Sequence, residues 1–313
     1  MENSSAPFLI KNLRNAFVTN NSVIITQGKI VKDSCVRVEN YQTYSRFKFR
    51  LKYFLPIFSW SKKTHILITD EWSKNYCHFL WEALSKLIEL KKQFPDAILI
   101  LPKSYLKIDF ITKSLEAFSF KQDRLKIIPK RSKLLVKNLA FIPCINITTE
   151  GYYNFLKFSE IAQILTNHFQ EKLKTNFGAR IYISRSDPKK NTPRQVANEK
   201  ELVLMLAKYG FKTVYMENFS FLEQISIMNN ASFIIAPHGA GITNVMFARK
   251  NCHLVELVNF NWGKTCFAEM CQRMNINYQR FDCNPSEAIS TLELGNIFVD
   301  ITKLEKNLNQ ILK

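Results

Sequence analysis

The segment Phe233-Ile-Ile-Ala-Pro-His-Gly-Ala-Gly-Ile-Thr-Asn-Val-Met-Phe247 decides the fold of this chain. Its first apolar residues end at Pro237, and small residues then lead to apolar positions with helical spacing at Ile242, Val245 and Met246. This order predicts a buried strand, a tight turn and the start of a helix. The turn carries few side chains, so the first free N–H groups of the helix would be open to an anion such as a phosphate. A glycine-rich turn that binds nothing has the same pattern.

The same segment argues against two other classes of protein. The uncharged run 231–248 has about the length of a membrane span, but Pro237, His238 and two glycines near its centre would leave polar groups that lipid does not satisfy. A dinucleotide-binding turn needs a third glycine, and Asn244 stands at that position. A membrane helix and a nicotinamide enzyme are therefore both disfavoured.

The sequence on either side of this segment alternates strands with helices. Strands are predicted at 180–184, 212–215, 232–236, 253–257 and 277–280, and helices near 198–208, 221–229, 243–247 and 264–274. Such alternation predicts a parallel sheet covered on both faces. Ligands of these sheets bind beyond the carboxyl ends of the strands, where Arg185, His238 and Glu256 would lie.

The first half of the chain contains a candidate for proton transfer. A strand at 64–69 is followed by Asp70 and then by a predicted helix from about Asn75 to Gln93. His78 and Glu82 lie one turn apart near its start, so the carboxylate can orient the imidazole and stabilise its charged form. An ordinary surface contact is the alternative.

The remainder of the first half predicts an α/β layer domain with a basic surface. Strands at 97–101, 125–128, 134–136 and 139–142 accompany a helix at 105–118. Alternation within 41–58 would place Phe47, Phe49 and Leu51 on one face of a strand or hairpin and Arg46, Lys48, Arg50 and Lys52 on the other. Either the basic face is simply solvated, or it contacts an anionic acceptor or a membrane.

Length and charge bound the organisation of the chain. With 313 residues and 46% apolar content it can form two domains of ordinary size. We predict a first α/β domain over 1–150, a helical connection over 151–176, a second α/β domain over 177–285 and a closing helix within 286–313. The formal charge is +18, and 1–150 holds 25 lysines and arginines against 12 acidic residues, or +13. That sign fits acidic glycans, nucleotide phosphates, anionic lipids and nucleic acid alike.

Cysteine usage and the N-terminus indicate a compartment. Seven dispersed cysteines without a CxxC pair favour free thiols in a reducing environment over a disulfide framework or a zinc site. The first residues carry an acid where a signal peptide has basic residues, and no apolar segment follows. We therefore expect a cytoplasmic protein.

Several short motifs together resemble a known family. In the second half they are Tyr182-Ile-Ser-Arg185, Arg194-Gln-Val-Ala-Asn198-Glu199, Gly210-Phe211, Phe221-Leu-Glu-Gln224, Pro237-His-Gly-Ala-Gly-Ile-Thr-Asn244 and Glu256. In the first half the motif is Asn75-Tyr-Cys-His-Phe-Leu-Trp-Glu82. Their order and spacing resemble glycosyltransferase family 61, which includes plant β-1,2-xylosyltransferases, animal O-linked N-acetylglucosaminyltransferases and bacterial capsule or lipopolysaccharide enzymes.

The resemblance implies a fold and a reaction. The fold would be GT-B-like, with two Rossmann-like α/β domains facing a cleft and a C-terminal closing helix. The second domain would hold a nucleotide-sugar donor and the first a glycan or lipid-linked acceptor. The family is regarded as inverting and able to work without a bound metal, which agrees with the absence of a DxD motif here. No other cofactor is implied.

The resemblance also suggests roles for single residues. His78 is the first candidate for the catalytic base, and Glu82 and Asp70 are the next candidates. The candidates for donor binding are Arg185, Arg194, Asn198, Glu199, His238, Gly239, Ala240, Gly241, Asn244 and Glu256. The two arginines and the glycine turn would neutralise the diphosphate, and Glu256 would accept hydrogen bonds from ribose. Structural alternatives are surface cations for the arginines, a helix N-cap for Asn198 and a buried ion pair for Glu256.

Biological setting and rival functions follow from the same features. A chain without a signal anchor suggests the bacterial capsule or lipopolysaccharide branch, with an enzyme on the inner face of the cytoplasmic membrane that contacts anionic lipid. One rival is a non-catalytic nucleotide-binding scaffold. Another is a basic nucleic-acid-binding protein, but no RNP, KH or zinc-finger signature is present, so a nucleic-acid partner is not expected. The donor sugar and the oligomeric state are left open.

Overall fold

A computed structural model of the chain describes residues 9–36, 42, 53, 55–145, 151–174, 177–185, 194–286 and 295–312. The basic-aromatic pattern predicted over 41–58 lies mostly outside these residues. The chain divides into two compact units, Met1–Leu165 and Thr166–Lys313. Among the described helices, none combines the length and the apolar character that crossing a membrane requires.

The first unit is built on one eight-stranded mixed sheet. Its strands are β1 Lys11–Thr19, β2 Ile24–Thr26, β3 Lys29–Ile30, β4 Leu55–Ser59, β5 His65–Leu67, β6 Ile98–Pro102, β7 Leu125–Ile128 and β8 Ser132–Phe141. The order is β3-β2-β1-β8-β5-β6-β7, and β4 also pairs with β8. β4 and β5 run parallel to successive parts of β8, whereas β1 is antiparallel to it. The prediction of two separate strands over 134–142 is wrong, because β8 continues without a break through 137–138.

A long helix packs against this sheet and contains an irregular turn. Residues Tyr76–His78 and Leu84–Gln93 are α-helical, and Phe79–Ala83 between them forms a π-helical turn. The other described helices up to Phe169 are Lys32–Ser34, Lys103–Lys107, Asp109–Ala117, Gln122–Arg124, Tyr152–Phe155 and Phe158–Phe169. The first, second and fourth of these are 3₁₀, and the last continues past Leu165, where the first unit ends. The predicted helix at 105–118 starts later because a 3₁₀ segment precedes it. π turns of this kind occur often at functional sites.

The second unit contains the predicted parallel sheet. Its strands are β9 Arg180–Ile183, β10 Lys212–Val214, β11 Phe233–Pro237, β12 His253–Asn259, β13 Asn277–Pro285 and β14 Ile297–Phe298. The order is β10-β9-β11-β12-β13-β14, and all pairs are parallel except β13 with β14. Its helices are Gln170–Lys172, Glu199–Lys208, Met216–Asn218, Phe221–Asn230, Ala240–Phe247, Cys266–Met274 and Ile301–Ile311. The predicted α/β class is confirmed.

The strand order creates a switch point between β9 and β11. From β9 the chain continues to β10 on one side and then returns to β11 on the other. The helices that follow β9 and β11 therefore diverge and leave a crevice at the carboxyl edge of the sheet, where ligands of doubly wound folds bind.

The segment after β11 differs from the predicted α-helix. Ala240–Phe247 is a 3₁₀-helix, although it begins where the sequence pattern places a helix start. Glycine, threonine and asparagine favour an α-helix weakly, and the tighter 3₁₀ turn suits a short connection between buried strands. Its first N–H groups still lack intrahelical partners.

The C-terminal helix packs on the core of the second unit. Leu304 and Leu308 of Ile301–Ile311 are fully buried and belong to the same apolar cluster as Leu202 and Leu206 of Glu199–Lys208. Apolar residues three and four apart place these side chains on one face.

Candidate functional site

Arg185 and Gly239 meet at the switch point of the second unit. Arg185 follows β9 directly, and Gly239 is two residues beyond β11. The guanidinium lies so close over the glycine that a Cβ there would overlap Nη1 and stand 2.6 Å from Cζ. Gly239 has φ 162°, an extended conformation open to any residue, so the close approach of Arg185 is what requires glycine. Ala240 and Gly241 line the same crevice beside Glu217.

A second pocket at this edge presents hydrogen-bond donors. His238, Arg194, Asn259 and Trp262 line it, together with apolar side chains of β12. Asn259 and Trp262 are 4% and 8% exposed. Arg194 Nε, Asn259 Nδ2 and Trp262 Nε1 are buried, and none has a hydrogen-bond partner among the described residues. Buried donors without acceptors are costly, so this pocket suits a ligand group rich in acceptor oxygens.

The amide of Asn259 has one end bonded within the protein and one end without a described partner. Its Oδ1 accepts a hydrogen bond from the backbone N–H of Asn261 at 3.1 Å, which leaves Nδ2 as the remaining polar group. Arg280 donates from Nη1 to the backbone oxygen of Trp262 at 2.7 Å and so stabilises the turn that carries both side chains.

His238 is oriented by a buried carboxylate. Its Nδ1 is 2.5 Å from Oε1 of Glu256, and the hydroxyl of Tyr278 donates to Oε2 at 2.7 Å. The rings of Trp262 and Phe267 lie 4.4 Å and 5.2 Å from the imidazole. Nε2 has no partner among the described residues. Both oxygens of Glu256 are thus engaged within the protein, and the carboxylate, predicted to accept from ribose, positions His238.

The two arginines are partly buried cations that influence each other. Burial, and then the positive charge of Arg194, lower the pKa of Arg185 to about 10, while Glu217 opposes the shift. Burial lowers the pKa of Arg194 as well. Both remain charged at neutral pH. Arg194 lies 5.9 Å from the ring of Trp262 and has no carboxylate partner among the described residues. An anion bound here would relieve the repulsion between the two.

Two further residues predicted to bind the donor, Asn198 and Glu199, make contacts within the protein. Asn198 donates to and accepts from the backbone of Val299, at 2.8 Å and 3.0 Å, and its side chain does not cap the helix that follows. Glu199 accepts from Tyr182 and from the hydroxyl of Ser184, each at 2.7 Å. These contacts support the walls of the crevice.

Asn244 also has a structural contact. It is 1% exposed, and its Nδ2 donates to Oε1 of Gln224 at 3.0 Å. Gln224 in turn donates to the backbone oxygens of Met216 and Phe219. Asn244 therefore joins the Ala240–Phe247 segment to the loop after β10.

The predicted His78–Glu82 pair is in contact in the first unit. His78 Nδ1 is 2.9 Å from Oε1 of Glu82, which also accepts from the hydroxyl of Tyr152 at 2.8 Å. The side chain of His78 is 30% exposed and that of Glu82 is 8% exposed. No described residue is bonded to Nε2 of His78. Glu82 lies in the π-helical turn, and the ring of Trp72 is 5.2 Å from the imidazole.

Electrostatics tune His78 towards the charged form. Burial would lower its pKa, but the hydrogen bond and charge of Glu82, helped by Asp70, outweigh burial and raise it. A raised pKa makes the imidazole a stronger base. Its neutral form can accept a proton at Nε2, while Glu82 stabilises the resulting cation.

Asp70 forms a buried ion pair. Its carboxylate accepts from Lys86 at 3.3 Å, from the hydroxyl of Ser73 at 2.8 Å and from the backbone N–H of Trp72 at 3.0 Å. Desolvation would raise the pKa of Asp70, but Lys86 and these hydrogen bonds lower it. A carboxylate buried with its own cation is poorly placed as a base, so its contacts indicate a structural role.

Sequence reasoning did not single out Asn259, Trp262 or Tyr152. Asn259 is the last residue of β12 and Trp262 lies three residues beyond it. The rule that ligands bind at the carboxyl ends of strands would have found both had that strand been predicted at its full length. Tyr152 comes from a distant part of the chain and carries no such signal. The described residues contain no group of three or more His, Cys, Asp or Glu side chains placed to hold a metal ion.

Comparison with known proteins gives the family. The chain matches Glycosyltransferase 61 over residues 76–255, more than half its length. It is 30% identical over 92 residues to the EGF domain-specific O-linked N-acetylglucosamine transferase of Drosophila melanogaster, a match that covers 28% of this chain. That match spans 18% of the relative, less than a fifth of its length. The family match includes both the His78–Glu82 pair and the turn after β11, and the chain therefore belongs to glycosyltransferase family 61.

Proposed function

We propose that this protein is an inverting glycosyltransferase that moves a sugar from a nucleotide-sugar donor to a hydroxyl of a glycan or lipid-linked glycan. The observation that carries the proposal is the set of donors at the carboxyl edge of the second sheet. Arg185 lies over Gly239, and Arg194, Asn259 and Trp262 present buried N–H groups without described acceptors. Acceptor oxygens of a bound ligand would satisfy these donors.

A diphosphate fits this chemistry. Its oxygens accept hydrogen bonds only, and its charge compensates two arginines that repel each other. The first N–H groups of the Ala240–Phe247 segment add donors near Gly239. As the leaving group gains charge, these fixed donors would stabilise it without reorganisation. We accordingly propose that no metal is obligatory.

The base that we propose is His78. Nε2 would take the proton of the acceptor hydroxyl as its oxygen bonds to the anomeric carbon and the bond from that carbon to the diphosphate breaks. This single displacement inverts the anomeric centre. Glu82 would hold Nδ1 and stabilise the imidazolium, and Tyr152 would fix Glu82.

The wider setting is also a proposal. We propose a GT-B arrangement with the donor on the second unit and the acceptor on the first, in which Ile301–Ile311 is the closing helix. The charge of +13 over 1–150 supports an acidic or lipid-linked acceptor, and a cytoplasmic role in capsule or lipopolysaccharide synthesis agrees with that charge. The name of the Drosophila relative makes an N-acetylglucosamine donor the first to test.

Donor binding is tested by titrating the protein with UDP and UDP-N-acetylglucosamine and recording the melting temperature. A ligand at about 100 times its dissociation constant adds about 2.7 kcal/mol to stability. Asn259→Asp keeps the oxygen that accepts from Asn261 but replaces the donor Nδ2 by a negatively charged oxygen, and should abolish the shift. Arg273→Ala removes an exposed arginine of the same unit and should keep it.

Turnover separates the transferase from a nucleotide-binding scaffold. Release of UDP with an acceptor glycan, resistance to EDTA and a product of inverted anomeric configuration by NMR are the expected results. Binding of nucleotides without any release of UDP from any donor would overturn the proposed reaction. If uridine, guanosine, cytidine and thymidine nucleotides all leave the melting temperature unchanged, the proposal of a donor site at this edge of the sheet is wrong as well.

A further inference from the structure

One face of the first sheet carries exposed aromatic rings that the proposed reaction does not use. In β8 the side chains of Ser132, Leu134 and Val136 are buried, whereas Lys133, Leu135 and Lys137 are partly or fully exposed. Alternate residues of a strand point to opposite faces, so the second set marks an open face.

An apolar row crosses this face over three strands. Leu135 is paired with Phe17 of β1 on one side and with Phe58 of β4 on the other. Directly paired residues point to the same face of a sheet, so these three side chains adjoin. Trp60, just beyond β4, stacks on Phe58 with ring centroids 5.9 Å apart and an angle of 21° between the rings. Phe58 is 46% exposed and Trp60 is 90% exposed.

Cations and polar groups border the aromatic row. Phe58, Trp60 and Leu135 line an open groove of about 310 Å³ together with Asn15, Lys62 and Lys137. Lys133 lies 4.8 Å from the ring of Phe17 at the next position of the same face. The described lining contains no carboxylate. An anionic ligand with flat apolar surfaces is complementary to this combination.

We propose that this groove binds an acidic saccharide chain, as an acceptor subsite of the proposed transferase that lies away from the proposed base. Ser59, next to Trp60, contacts His65 at the start of β5, whereas His78 follows the end of that strand. The apolar C–H face of a pyranose ring packs on an exposed aromatic ring, its hydroxyls can bond to Asn15 and the lysines, and its carboxylate or phosphate pairs with Lys62 and Lys137. A concave groove with hydrogen-bonding walls suits a saccharide better than a flat lipid surface. The role as acceptor subsite rests on the proposed function, whereas saccharide binding does not.

The test is calorimetric titration of the full chain with polygalacturonate, an acidic saccharide, and with dextran, a neutral one. Polygalacturonate should bind and dextran should bind far more weakly. Trp60→Ala should weaken binding about fivefold to tenfold, and Trp60→Phe should restore most of it. Because Trp60 is almost fully exposed, its replacement leaves the fold intact. Leu204→Ala, which truncates a side chain 70% exposed in the second unit, is the matched control.

Salt dependence tests the lysines. The double variant Lys62→Gln with Lys137→Gln should weaken binding and flatten its dependence on salt, because fewer charge contacts are screened. Lys200→Gln, an exposed lysine of the second unit, should change neither.

Three results would overturn the inference. One is unchanged polygalacturonate binding by Trp60→Ala. The others are Trp60-dependent binding to phosphatidylglycerol vesicles, or to oligothymidylate, without binding to polygalacturonate; these would indicate a membrane or nucleic-acid surface instead. The nucleotide thermal shift on the same samples reports on the donor site separately, so either proposal can fail alone.

Discussion

Replacing Gly239 by alanine should disable the proposed donor site without unfolding the protein. The three atoms nearest to a Cβ at this position all belong to the Arg185 guanidinium, with Cζ at 2.6 Å. The extended backbone at Gly239 accepts alanine, so the clash is resolved by movement of the arginine tip. The substitution therefore removes Arg185 from the crevice while its charge stays on the chain.

The size of the effect follows from the bonds that Arg185 would make. Hydrogen bonds to charged groups contribute about 1.5–3 kcal/mol each, which corresponds to a loss of about 10-fold to 150-fold in affinity for one such bond. Arg185→Ala should cause a loss of the same order. If Gly239→Ala acts only by displacing Arg185, adding it to the Arg185→Ala variant should cause almost no further loss of nucleotide affinity.

The assay is a double-mutant cycle on nucleotide affinity. Dissociation constants of the two single variants and the double variant are measured by calorimetry with the nucleotide that stabilises the wild type. Gly263→Ala is the control, because a Cβ there would meet no atom within 4 Å. Melting temperatures without ligand check that each variant is folded.

Two outcomes would refute the reasoning about Gly239. If Gly239→Ala binds nucleotide as the wild type does, the position of Arg185 is irrelevant to the ligand. If it weakens binding equally with and without Arg185, the alanine acts on the ligand directly or on the backbone N–H groups, and the glycine is needed for another reason.

Three further predictions concern residues with charged or buried partners. Glu82→Gln should move the midpoint of the rise of transfer rate with pH downwards and lower the plateau, because Glu82 raises the pKa of His78; an unchanged single-turnover pH profile would contradict this role. Asp70→Asn leaves Lys86 buried without its counter-ion and should cost about 3–5 kcal/mol in urea unfolding. Since the folded protein lowers the pKa of Asp70, the wild type should lose this stability as pH falls through that pKa, and the variant should not. Asn198→Ala should cost about 2 kcal/mol of stability yet keep nucleotide affinity. A loss of nucleotide affinity without a loss of stability would instead show that Asn198 contacts the nucleotide.

Local pattern was sufficient to predict most of the second unit. Short buried strands that alternate with helices admit few arrangements, and the carboxyl ends of parallel strands share one edge of the sheet. For that reason Arg185 and His238 could be placed at the same edge of the sheet from sequence. The strands that precede them, β9 and β11, are paired in the sheet although β10 lies between them in the sequence. The pairing of Arg185 with Gly239 depends on side-chain packing and has no local signature.

Side-chain partners were the part that local pattern could not predict. Asn198, Glu199 and Asn244 are polar residues near the predicted crevice, but each satisfies its hydrogen bonds on other parts of the second unit. Asn259 and Trp262 were missed because β12 extends two residues beyond the predicted strand, which moves the edge of the sheet along the chain. Burial of unpartnered donors is a property of the folded state only.

The two histidine–glutamate pairs show how neighbours assign different roles to the same chemistry. In each unit a histidine Nδ1 bonds to a buried glutamate that also accepts from a tyrosine hydroxyl, and Nε2 has no described partner. His238 shares its pocket with Arg194 and two other donors, and its side chain is 11% exposed, so it is suited to donate to an anion. The side chain of His78 is 30% exposed, and the nearby carboxylates raise its pKa. Both properties suit it to take a proton from an incoming hydroxyl. In the proposed reaction, the cationic pocket around His238 would suit it to stabilise the leaving group, and the acidic neighbours of His78 would suit that residue to act as the base.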